Sequence, residues 1–136
     1  MNGAAVHCYS MKKNGNIYLS KNFRVREFRC QDGTDPVFIS SRLVEVLQDI
    51  RDHFGKPVTI TSAYRTAQHN KAVGSETNSQ HLYGLAADII VEGIGPTAVA
   101  AYAEKLMHNT GGIGVYEKQG FVHIDVRKVK SRWKGN

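Results

Sequence analysis

The chain has 136 residues, 41% of them apolar and 22% charged, with a formal net charge of +6. This length fits a single domain with one core, and the composition excludes a disordered or fibrous chain. No stretch approaches the roughly 20 apolar residues of a membrane span, so membrane insertion is not expected.

In chain order, residues 1–18 are polar and poorly periodic and read as a loose lead-in. They show no charged leader followed by a long apolar core, so no secretory signal is expected. A short strand is predicted around 16–19. The strongest helix covers 39–54, where Leu43, Val46, Leu47, Ile50 and Phe54 recur at helical spacing. Ser40 or Ser41 can cap its start, and Gly55 with Pro57 ends it. Residues 58–61 are rich in β-branched side chains and predict a strand. A shorter helix is predicted over 66–73, then a polar loop over 74–79. Residues 85–91 form an apolar strand, and 97–108 a second amphipathic helix with Pro96 in its first turn. Residues 113–116 and 121–127 read as a β-hairpin around a four-residue loop. Helices beside hairpin strands indicate an α+β domain, a small antiparallel sheet flanked by helices.

The positive charge concentrates at Lys12, Lys13, Lys21, Arg24, Arg26 and Arg29, and again at Arg127, Lys128, Lys130, Arg132 and Lys134. The second group reads as a basic tail over 128–136. Such an excess favours anionic partners. No stacking aromatics interleave with it, so a nucleic-acid groove is not expected. Cys8 and Cys30 are too far apart for a redox pair and read as two ordinary thiols, with one bridge between them left open.

The chemistry-bearing residues sit in the apolar strands. Side-chain alternation puts Val122, Ile124 and Val126 on one face and Phe121, His123, Asp125 and Arg127 on the other. Asp88 interrupts the apolar run 85–91 on the face of Ala86 and Ile90. A carboxylate there is costly without a partner, and a metal or Arg65 would each serve. His81, Asp88 and His123 together have the donor types of a zinc site with three protein ligands and a position left for water. Each also has a structural reading, a hydrogen-bonded histidine or a paired aspartate. His7, His53, His69 and His108 read as incidental.

The order Thr61-Ser62-Ala63-Tyr64-Arg65-Thr66, Ser79-x-His81-x-x-Gly84-x-Ala86-x-Asp88, Gly112-Ile113-Gly114-Val115-Tyr116 and Phe121-Val122-His123-Ile124-Asp125 resembles the zinc D-Ala-D-Ala peptidase family. These peptidoglycan-cleaving metallopeptidases share a core fold with lysostaphin-type peptidases and the hedgehog domain. The likeness runs from about Leu19 to Trp133. It implies one Zn²⁺ per chain on the sheet, held by His81, Asp88 and His123. It implies that Arg65 anchors a substrate carboxylate or carbonyl, that Ser79 supports the site, and that Tyr64 contributes to substrate binding. Gly84 would supply a turn that brings His81 back towards Asp88.

The resemblance leaves a gap at the general base. Many members carry an acid three positions before the last zinc histidine, where this chain has Gly120. Asp125 shares the face of His123 and can take a proton or orient a neighbour. Glu117 stands in the hairpin loop, as the acid of the hedgehog-like relatives does. Asp125 is preferred, because strand alternation fixes its direction. The expected function is zinc-dependent hydrolysis of peptide bonds in peptidoglycan stem peptides or cross-links, as carboxypeptidase or endopeptidase. The alternative is a non-catalytic, zinc-stabilised binding domain of the same fold. The expected partner is a peptidoglycan peptide, and a monomer is favoured. The expected setting is endolysin-like: cytoplasmic until lysis, or carried by a phage particle, and acting on the cell wall.

Overall fold

The computed structural model describes residues 5–76 and 78–135. Residues 1–4 of the lead-in read for a secretory signal, and Thr77 of the polar loop, lie outside the described residues. The elements are β1 (Val6–Ser10), α1 (Met11–Asn14), β2 (Pro36–Ser40), α2 (Ser41–Phe54), β3 (Val58–Ser62), α3 (Ala67–Ala72), β4 (Ala86–Val91), α4 (Pro96–Leu106), β5 (Gly112–Tyr116), β6 (Phe121–Asp125) and β7 (Ser131–Lys134). Single 3-10 turns cover Val25–Phe28 and Gln80–Tyr83. Among the described residues no helix is long and apolar enough to cross a membrane.

The fold is α+β. A five-stranded sheet runs in the order β3-β4-β6-β5-β7, antiparallel except where β7 lies parallel to β5. A separate antiparallel ribbon pairs β1 with β2. Ala87, Ile89 and Val91 of β4 and Val122 and Ile124 of β6 turn into one core, as strand alternation requires. Helices α2 and α4 cover that face. Leu43, Val44, Val46, Leu47 and Ile50 of α2 are buried, each contributing roughly 1.5–3 kcal/mol. Ser40 accepts from the Leu43 N–H at the start of α2, and Gly55 closes the end in the left-handed conformation. His53 stacks on Tyr102, ring centroids 3.7 Å apart, and ties α2 to α4.

Three expectations change. The predicted strand at 16–19 is reduced to one bridge between Tyr18 and Arg24, because the backbone there folds back on Phe23 and Val25. The lead-in instead carries β1, which finds its partner in β2, a strand hidden by the short run Pro36–Ser40. The segment read as a basic tail contains β7. Its Arg132 reaches across to Glu104 and to the carbonyls of Met107, Thr110 and Gly111. It thereby satisfies carbonyls of the C-cap of α4 and of the turn that follows it. Alternating basic residues conceal a strand whose Arg132 is spent on the turn that follows α4.

Both thiols are free, Cys8 exposed and Cys30 buried. Gly84 has φ +73° as it closes the Gln80–Tyr83 turn, and an added Cβ would collide with the carbonyl of Phe38. Both facts exclude a side chain there. Gly84→Ala is expected to lower stability by about 1–3 kcal/mol for the left-handed conformation alone, with the collision adding to it. Denaturant unfolding of the two proteins checks this, and an unchanged midpoint would show that the turn relaxes freely.

Candidate metal centre

The face of the sheet opposite the helices carries the polar residues. Asp88, mid-way along β4, lies directly across from His123 of β6 in the antiparallel register. His81 comes from the Gln80–Tyr83 turn, which docks onto the residues after β3: the Arg65 N–H donates to the His81 carbonyl. Ser79 begins that turn, its hydroxyl accepting from the His81 N–H at 3.2 Å. Gly84 ends it, so that the chain enters β4 with Asp88 facing His81. This agrees with the turn expected of Gly84.

His81, Asp88 and His123 are all buried, and one donor atom from each lies within 4.8 Å of the others. His81 Nε2 is 3.3 Å and His123 Nδ1 3.0 Å from the same carboxylate oxygen of Asp88. Ligand atoms on a tetrahedral zinc with bonds of about 2.0–2.1 Å stand about 3.3 Å apart. The outward nitrogens are also committed. His81 Nδ1 is 2.6 Å from the Ala63 carbonyl, and His123 Nε2 is 2.7 Å from Asp125 Oδ2. With protons on those outer nitrogens, the inward nitrogens would be free to bind a cation beside the carboxylate; carrying protons, they donate to Asp88 instead. Two imidazole nitrogens and a carboxylate oxygen converging on one point match the donor types and number of a zinc site, so the donor set fits zinc.

The surrounding charges hold the set. Burial would raise the Asp88 pKa, but the hydrogen bonds from His123 and His81 outweigh it and keep the carboxyl well below the usual range. For His123, burial pulls the pKa down, and hydrogen bonding to Asp125 and Asp88 more than reverses it. Arg65 reaches Asp88 Oδ2 at 3.4 Å, Ser62 Oγ at 3.1 Å and Asn70 Oδ1 at 3.3 Å. A register shift in β3 between Ile60 and Ser62 turns the Ser62 hydroxyl to this side. Asn70, 3% exposed, is a positioning residue with no signal in the sequence beyond its place in a short helix.

Asp125 and Glu117 separate clearly. Asp125 is fully buried, and both its oxygens are taken up. Oδ2 bonds His123 Nε2 and the Arg127 Nη2–H, and Oδ1 accepts from the Arg127 Nε–H and backbone N–H. Glu117 accepts from the Thr97 hydroxyl at the start of α4 and is not among the residues lining the cleft. Tyr64 does not line it either: it packs on Phe38 and against the core. An open cleft of about 820 Å³ does run over the centre, walled by Arg65, Ser79, His81, Asp88, His123, Arg127 and Trp133 among others. Arg127 and Trp133, expected at a hairpin end and in a basic tail, are wall residues of this cleft.

A family model described as peptidase M15 matches residues 18–125. The chain belongs to the peptidase M15 family. The resemblance to zinc D-Ala-D-Ala peptidases is thereby shown. The matched span of the family carries all three converging residues. A probable peptidoglycan L,D-endopeptidase MepK of Haemophilus influenzae is 32% identical over 83 residues, which cover 57% of this chain and 43% of that protein. The peptidoglycan L,D-endopeptidase MepK of Escherichia coli K12 is 36% identical over 75 residues, covering 52% of this chain and 40% of that protein. The chain thus matches about two fifths of the length of these relatives.

Asp125→Asn keeps the shape of the side chain but weakens its hold on the His123 N–H. It is expected to bind Zn²⁺ about 10–100-fold more weakly than the parent. Competition with a chromophoric chelator measures this, and equal affinities would remove Asp125 from the support of the centre.

Proposed function

We propose that this chain is a zinc-dependent peptidase that hydrolyses an amide bond within peptidoglycan peptides. The observation that carries the reading is the convergence of His81, Asp88 and His123 at the floor of an open cleft, inside the matched family span. The two MepK relatives supply the substrate class. A zinc ion held by these residues would lower the pKa of a bound water towards about 7 and polarise the scissile carbonyl.

The chain's own residues do the remaining work. Arg65 has three of its five N–H donors placed on Asp88, Ser62 and Asn70, which leaves one on each terminal nitrogen for a substrate carbonyl. Its positive charge would also stabilise an oxyanion forming beside it. Asp125 orients His123; with both oxygens engaged and no exposed surface, it has no path to a water in the cleft. Ser79 holds the turn that presents His81.

Endopeptidase action is favoured over carboxypeptidase action. The support is the activity named for the two relatives, both L,D-endopeptidases; Arg65, with N–H donors to spare, suits a substrate carbonyl or carboxylate alike. The formal net charge of +6 would help the protein approach an anionic wall polymer.

Incubation with purified peptidoglycan is expected to release new muropeptide ends, identified by mass spectrometry. Release should stop on chelation, return with Zn²⁺, and be absent in His123→Ala. Zinc binding without any hydrolysis would instead support the non-catalytic binding domain. Hydrolysis unaffected by chelation would contradict the metal mechanism.

A further inference from the structure

The family match ends at residue 125, yet the cleft wall continues through Arg127, Ser131 and Trp133. Strand β7 places Trp133 beside Gly114 of β5. A Cβ on Gly114 would press into the indole, so the missing side chain is what lets the ring lie directly on the strand. The indole N–H donates to the Tyr116 hydroxyl at 2.9 Å, which fixes the rotation of the ring. Its centroid is then 5.1 Å from that of the His123 imidazole, tilted by 47°. The Arg127 guanidinium carbon lies 5.5 Å from the same ring, within range of a cation–π attraction.

These contacts close a circuit around one ligand. Asp125 grips His123 at Nε2, Arg127 grips Asp125 with two side-chain N–H groups, and Trp133 borders both His123 and Arg127. The strand carrying the indole is itself anchored. The neighbouring Arg132 is bonded to Glu104 and to carbonyls at the end of α4, and the Ser131 N–H donates to Gly111.

We propose that Trp133 is a positioning residue of the metal centre: it sets the His123 ring and the Arg127–Asp125 pair, so that the last strand completes a site whose ligands all lie upstream. The inference rests on the zinc reading above. It gives the C-terminal segment a part in metal binding that the charge pattern does not suggest.

The test is the Zn²⁺ affinity of the full chain by chelator competition, with the unfolding midpoint of the metal-free proteins measured alongside. Trp133→Leu keeps apolar bulk but removes the π-face and the N–H. It is expected to bind Zn²⁺ about 10-fold or more weakly, and Trp133→Phe should fall between it and the parent. A folded Trp133→Leu protein with parental zinc affinity overturns the inference. Should that variant not fold, Tyr116→Phe decides: it releases only the indole's anchor, so weakened zinc binding supports the role and unchanged binding overturns it. A parent chain that binds no zinc defeats the metal reading itself, which separates the two failures.

Discussion

The structure depends on keeping one carboxylate, Asp88, buried in the middle of a sheet. An ionised carboxylate in such a place is costly unless charges and hydrogen bonds replace the water it has lost. Here the replacement comes from four directions. His123 lies across the strand pair, His81 comes from the turn before β4, Arg65 from the end of β3, and the centre itself is shaped for a cation. Each partner has been delivered by a separate piece of fold: a strand register, a glycine-closed turn and the segment that follows β3. The core on the opposite face supplies the rigidity that keeps these pieces in place.

The outer contacts explain why the centre holds its geometry. Each histidine has its outward nitrogen occupied, one by the Ala63 carbonyl and one by Asp125, so each inward nitrogen is aimed at the same point. Asp125 is in turn fastened by Arg127. Both arginines near the C-terminus are therefore engaged inside the fold, Arg127 on Asp125 and Arg132 on Glu104 and the carbonyls that follow α4. The number of basic residues in the sequence overstates the charge available to a partner.

Much of this was legible beforehand. Period and capping placed α2, and the predicted strands at 58–61 and 85–91 and the hairpin correspond to β3, β4, β5 and β6. Those are the elements whose apolar faces meet the core, where pattern and packing agree. Strand alternation also put His123 and Asp125 on one face and Asp88 beside Ala86 and Ile90. What alternation could not show is saturation. Asp125 looked available for proton transfer because its direction was right, and only the two grips of Arg127 reveal that its oxygens are taken. Tyr64 and Glu117 carried roles through motif position alone, and packing on Phe38 and bonding to Thr97 turn them elsewhere. Strand β7 was hidden because Lys, Ser and Arg surround its single large apolar residue, and its pairing with β5 is set by contacts distant in sequence.

The central claim is that two imidazoles and one carboxylate hold the metal. X-ray absorption spectroscopy of the zinc-loaded chain reads that ligand set directly. The structure predicts a first shell of nitrogen and oxygen alone at about 2.0–2.1 Å, with the outer scattering of two imidazole rings. A sulfur shell at about 2.3 Å, or scattering from fewer than two imidazoles, would contradict it.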